Sequence, residues 1–96
     1  MPLAPAAAAV LVVDDNLDVL GTVARTLSRA GLAAVPFDRP AEALEALGRL
    51  EPFSAAIVDY DMPHMTGAAF IRELRHRQPG LPVLMISGHP PEDVEA

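Results

Sequence analysis

Two short acidic segments hold the residue types best suited to chemistry in this sequence: Asp14-Asp15, and Asp59-Tyr60-Asp61 running into Met62-Pro63-His64-Met65-Thr66-Gly67. A third candidate, Ser87, stands just before Gly88. Each has a plain reading when taken alone. Asp14-Asp15 can end a strand and cap the next helix, Asp59 and Asp61 can be loop carboxylates, and Ser87 can be a cap or turn hydroxyl. Taken together they are more informative, because each directly follows an apolar run and would be delivered to the same rim of a sheet. Three carboxylates brought within a few ångströms of one another either take up protons or hold a cation. All seven cationic residues are arginine and none is lysine, so a hard divalent ion is the economical partner. Magnesium accepts carboxylate, carbonyl and water oxygens and leaves positions for phosphate oxygens. Such an ion also lets an anionic phosphoryl group approach a carboxylate, and attack by that carboxylate on phosphorus gives an acyl phosphate.

The elements that must position these groups follow from hydrophobic spacing. From Ala8, the run Ala9-Val10-Leu11-Val12-Val13 is continuously apolar, as in a strand covered on both faces of a parallel sheet. Leu17, Leu20, Val23 or Ala24, and Leu27 then recur at helical spacing up to the stop signal Ala30-Gly31. A second strand is expected over Leu32 to Phe37, at a sheet edge because Pro36 cannot donate to a ladder. Pro40 suits the first position of a second helix, with Ala41, Leu44, Leu47 and Leu50 on one face and Pro52 closing the unit. Ser54 to Asp59 reads as the third strand and Gly67 to Arg77 as the third helix, burying Phe70, Ile71 and Leu74. After the break at Gln78-Pro79-Gly80, Leu81 to Ile86 reads as a fourth strand, and Pro90-Pro91-Glu92-Asp93 as a first helical turn. Strands alternating with helices imply βαβ units, hence a parallel sheet with right-handed crossovers. In such a sheet ligands bind beyond the carboxyl ends of the strands, where Asp14, Asp15, Asp59 and Ser87 all fall.

Composition narrows the function classes. Ninety-six residues, 51% of them apolar, make one small domain with a single core. Residues 1–7 read as a flexible Pro/Ala tail and residues 8–96 as the domain. A formal charge of −6 disfavours direct nucleic-acid binding by this domain, which would need a basic patch. With no cysteine there is neither disulfide nor thiolate zinc site. The start lacks the basic region of a secretory signal, and no apolar run is long enough to span a bilayer; a soluble, cytoplasmic protein without membrane attachment is expected.

The succession Leu11-Val12-Val13-Asp14-Asp15, then Ile57-Val58-Asp59-Tyr60-Asp61-Met62-Pro63-His64-Met65-Thr66-Gly67, then Pro82-Val83-Leu84-Met85-Ile86-Ser87-Gly88 resembles the receiver domain of bacterial two-component response regulators, in its chemotaxis-regulator-like form. The resemblance implies a flavodoxin-like, doubly wound α/β fold with strand order 2-1-3-4 over the four strands present. It implies that Asp59 accepts a phosphoryl group from a histidine kinase or phosphotransfer domain, with Mg2+ held by Asp14, Asp15, Asp59 and the backbone carbonyl of Asp61. Asp15 would bind the ion directly and Asp14 through metal-bound water. Ser87 matches the hydroxyl that senses the phosphoryl group, while Met62-Pro63 and Gly67 match the loop that shapes the site. The function implied is that of a phosphoacceptor switching a downstream output, with autodephosphorylation, rather than a turnover enzyme.

The pattern also departs from the family. A full receiver continues through a fourth helix, a fifth strand with a switch aromatic, a following lysine and a fifth helix. Here it stops after the fourth strand, so Leu81 to Ile86 is expected to present an apolar edge, covered by homodimerisation, strand exchange or another chain. Without the lysine, phosphoryl transfer is expected to be slow. His64 and His89 are expected to be solvated loop residues, and His76 to lie on the polar helix face with Arg72, Arg75 and Arg77. Two rival readings stay open at this level. One is a phosphorylation-independent receiver-like interaction module. The other is a haloacid-dehalogenase-type phosphatase built on Asp59-x-Asp61, against which Pro63 and the late position of the motif both count.

Overall fold

The computed structural model describes residues 9–47, 53–63 and 65–86. Four strands, β1 (Ala9–Val13), β2 (Ala33–Phe37), β3 (Ala55–Asp59) and β4 (Val83–Ile86), alternate with three helices, α1 (Leu17–Arg29), α2 (Pro40–Leu47) and α3 (Gly67–Arg77). All strand pairings are parallel and the order is β2-β1-β3-β4, as the resemblance implies. Gly31 carries a φ of 82° just past α1, the left-handed conformation that only glycine adopts without strain. Pro36 does lie on an edge strand, paired with Val12.

The continuous apolar run of β1 has the use expected of it. Val10 and Val12 pack with Leu20 on the α1 side of the sheet, and Leu11 and Val13 pack with Ala43, Phe70 and Leu74 on the α2–α3 side. Burying each such side chain contributes roughly 1.5 to 3 kcal/mol. That burial fixes β1 and β3 together, and with them the position of their acidic ends.

Several boundaries and faces differ from expectation. Leu17 is 68% exposed: it opens α1, before the helix has come down onto the sheet, so the buried stripe begins at Leu20. In α2 the buried positions are Pro40, Ala43 and Ala46, with Leu44 and Leu47 flanking them and Ala41 exposed. Alanines let the helix approach the sheet closely, and the leucines fill in from the sides. Strands β2, β3 and β4 start one to two residues later than expected, although Leu81, just before β4, is buried at 2%. On β4, Leu84 and Met85 are exposed at 60% and 39%. Residues 1–7, Leu50, Pro52, His64, and the stretch from Ser87 through His89 and Pro90 to Ala96 lie outside the described residues.

Helix α3 meets β3 at one tight point. Thr66 caps the helix by accepting the Ala69 N–H at 3.1 Å, and the Gly67 N–H donates to the Tyr60 carbonyl at 2.8 Å. A Cβ on residue 67 would lie 2.6 Å from the Asp59 carbonyl oxygen and 2.7 Å from the Tyr60 Cα. Both obstacles are backbone, so the helix or the strand end must move. Gly67→Ala is therefore expected to cost about 1 to 3 kcal/mol in urea unfolding; an unchanged midpoint would show that the contact is slack.

Candidate metal and phosphoacceptor site

The rim residues are positioned by the sheet itself. Val13 pairs with Val58 across β1 and β3, so the next residues along, Asp14 and Asp59, emerge side by side from neighbouring strands. The pairing continues past the strand ends on both sides, with the Asp14 N–H donating to the Phe37 carbonyl at 3.1 Å and the Tyr60 N–H to the Ile86 carbonyl at 2.8 Å. Oxygen atoms from Asp14, Asp15 and Asp59 all lie within 4.8 Å of one another. Asp14 is 4% and Asp59 9% exposed, whereas Asp15 is open to solvent. An open cavity of about 360 Å³ lies over them, also walled by Asn16, Val19, Asp61 and Ile86.

Hydrogen bonds orient the two buried acids. The Asn16 N–H donates to Asp14 Oδ1 at 2.9 Å, and the Asp61 N–H donates to Asp59 Oδ1 at 3.3 Å. Among the described residues no cationic side chain forms a salt bridge with Asp14, Asp15 or Asp59; the recorded bridges join Arg39 to Glu42 and Arg77 to Glu73. The donor set is thus entirely of hard oxygens, two of the three carboxylates are withdrawn from water, and no cation among the described residues balances them. That is a fit for a magnesium-sized ion.

The structure brings Asp14, Asp15 and Asp59 together and puts Asp61 in the wall of the same cavity, while Ser87 falls outside the described residues. Asn16 and Gly67 contribute more than their types announced. Asn16, not the acid pair, is the N-cap of α1, accepting the N–H groups of Asp18 at 2.9 Å and Val19 at 3.2 Å. An Asn directly before the first helical residue is the ordinary cap signal; it was overshadowed by the two preceding acids, which can fill the same role.

Comparison with known proteins agrees with this geometry. The family description "Response regulator receiver domain" matches residues 10–96. This chain belongs to that family. It is 38% identical over 80 residues to the DNA-binding transcriptional regulator NtrC of Escherichia coli K12, an alignment covering 83% of this chain and 17% of that protein. The chain therefore spans only a small part of such relatives. Among solved structures, the Vibrio cholerae chemotaxis protein CheY4 superposes with a TM-score of 0.82 at 32% identity, covering 94% of this chain and 77% of that one. A response regulator protein from Burkholderia pseudomallei, solved with a phosphorylated aspartic acid, calcium ion and citrate, gives a TM-score of 0.79 at 34% identity, covering 86% of this chain and 48% of that one. The family is a signalling module, and these likenesses favour neither the phosphatase nor the phosphorylation-independent alternative. No helix among the described residues is long and apolar enough to cross a membrane.

Within this receiver domain Asp59 is electrostatically loaded. Its pKa is raised from 3.8 to about 6, first by burial, then by the charge of Asp14, with further contributions from the hydrogen bond and charge of Asp15; the Asp61 N–H partly offsets these. Because the folded value lies above the unfolded one, the ionised carboxylate destabilises the cation-free fold. That penalty is absent below about pH 3.8, develops as pH rises, and is complete above about pH 6. With chelator present, Asp59→Asn is expected to stabilise the chain at pH 7 by about 1 to 2 kcal/mol, after allowance for solvent screening. The gain should vanish by pH 3.5 (roughly the carboxylate range). Urea titrations of both proteins at the two pH values check this, and a gain independent of pH would contradict the electrostatic cause.

Proposed function

We propose that this chain is a phosphoacceptor: Asp59 takes a phosphoryl group from a histidine kinase or a phosphotransfer domain, with Mg2+, and thereby switches a downstream output. The observation that carries the reading is the convergence of Asp14, Asp15 and Asp59 oxygens within 4.8 Å on the carboxyl rim of the sheet. The phosphorylated aspartate and calcium ion in the Burkholderia relative support it by analogy. Residues 8–96 form the receiver unit in this reading and 1–7 precede it as a tail. The setting is cytoplasmic.

The ligands for the ion would be Asp14, Asp15, Asp59 and the carbonyl of Asp61, with Asp14 acting through water. Bound magnesium supplies positive charge that offsets repulsion between the carboxylate and the incoming phosphoryl oxygens. The chain's own residues do the rest. An Asp59 carboxylate oxygen forms the bond to phosphorus as the bond from phosphorus to the donor imidazole nitrogen breaks, and the imidazole leaves with a proton. The product is an acyl phosphate on Asp59. The Asp61 N–H holds one Asp59 oxygen, which limits rotation of the carboxylate before attack. Ser87 would meet the phosphoryl group with its hydroxyl. With no lysine in these residues, no ammonium helps to stabilise the transition state, so transfer by this chain alone is slow. Water then returns the acyl phosphate to the free acid, without substrate turnover.

Incubation with magnesium and a small acyl phosphate should add one phosphoryl group by intact mass. Asp59→Asn should abolish the adduct, and Asp14→Asn or Asp15→Asn should slow it by about tenfold or more. Stoichiometric modification that survives Asp59→Asn refutes the site. Self-association through β4, where Leu84 and Met85 are exposed, belongs to the same reading; sedimentation velocity should then reveal a dimer, and a compact monomer opposes it.

A further inference from the structure

We propose that Asn16 is a positioning residue for the metal site, linking the first turn of α1 to the carboxylate of Asp14; this rests on the metal reading above. Three observations place it there. Its backbone N–H, 2.9 Å from Asp14 Oδ1, is the one hydrogen bond that any described group gives that carboxylate. Its side-chain oxygen holds the N–H groups of Asp18 and Val19, and its carbonyl accepts the Leu20 N–H at 3.0 Å. The residue also forms part of the wall of the cavity over the acids.

The consequence follows from how short the connection is. Only residues 14–16 separate β1 from α1. Asp14 is held at one end by the sheet, through its N–H on the Phe37 carbonyl. The direction of its side chain is set from the other end, by an N–H whose place depends on the capped helix. Without the cap, the first turn of α1 loses the acceptor for two of its free N–H groups and frays. Asn16 then rotates, and Asp14 loses the one donor that the described residues give it while still buried. A residue that orients a metal-binding carboxylate in this way typically carries about a 10- to 100-fold share of metal affinity. The choice of Asn is also electrostatically apt, since it provides the cap oxygen without adding another charge to the rim.

Magnesium titration of the intact chain, followed by calorimetry well below the thermal midpoint, tests the idea. Asn16→Ala is expected to weaken Mg2+ binding about tenfold. Asn16→Asp keeps an equally good cap oxygen and is expected to restore affinity to within about twofold of wild type or better. Far-UV circular dichroism checks that the variants are folded; Asn16→Gly, which costs the helix less than alanine, replaces Asn16→Ala if that variant is not. Wild-type affinity in the variant lacking the cap oxygen overturns the inference, as does equal weakening in Asn16→Asp. A wild-type chain with no saturable Mg2+ binding overturns the metal reading itself, and this inference with it.

Discussion

Repulsion among three carboxylates that the sheet does not allow to separate is the constraint from which the rest of the site follows. Asp14 and Asp59 extend the register Val13↔Val58, and adjacent strands lie about 4.8 Å apart. At that distance two unit charges repel by roughly 1 to 3 kcal/mol between fully aqueous and protein-like screening. The chain cannot escape by shifting a strand, since a one-residue slip would turn the inward residues of β1 or β3 to the wrong face. Leu11, Val12, Val13 and Val58 are all fully buried, and their combined burial outweighs the repulsion severalfold. The core therefore holds the acids together, and a proton on Asp59 relieves the strain only as pH falls below about 6. A divalent ion competes for the same place as that proton.

The loops around this rim are built to resist relaxation. The link from β1 to α1 is too short to let Asp14 and Asp15 swing away, and Asn16 closes it by capping the helix. On the other side, Gly67 brings α3 against the last peptide of β3, so the Asp59 backbone is packed from below while the Asp61 N–H holds its side chain from above. Met62, in the same loop, is buried in the core on the α2–α3 side. Movement of the Asp59 backbone would thus have to displace a helix.

Much of this was legible in the residues, and the exceptions have physical causes. Continuous apolar runs ending in acids gave β1, β3 and the rim, because a strand buried on both faces has no alternation to mislead. Pro40 and Gly31 marked helix ends through their backbone constraints. The face of α2 was harder to read. Leucine spacing suggested one stripe, but closest approach to the sheet selects small side chains, so Ala43 and Ala46 are buried and Leu44 and Leu47 lie beside them. Leu17 misled for a related reason: periodicity reports a helix face but not where the helix first touches the sheet. Asn16 was hidden by degeneracy, since Asp and Asn cap equally well and three candidates stand in a row.

The geometry also separates acids that composition treats alike. Asp15 is exposed and Asp14 is buried, although both follow the same strand, so the two neighbours differ sharply in solvation. Asp59 alone comes from β3, beside Asp14, and lines the cavity together with that pair. A nucleophile needs an oxygen that is held in place, poorly solvated and accessible at once, and Asp59 combines the Asp61 N–H, its own burial and the cavity wall. Asp61 is exposed and displaced by two residues along an irregular turn. Its backbone N–H nonetheless reaches back to Asp59 Oδ1 at 3.3 Å, so Asp61 acts on the Asp59 carboxylate through its backbone.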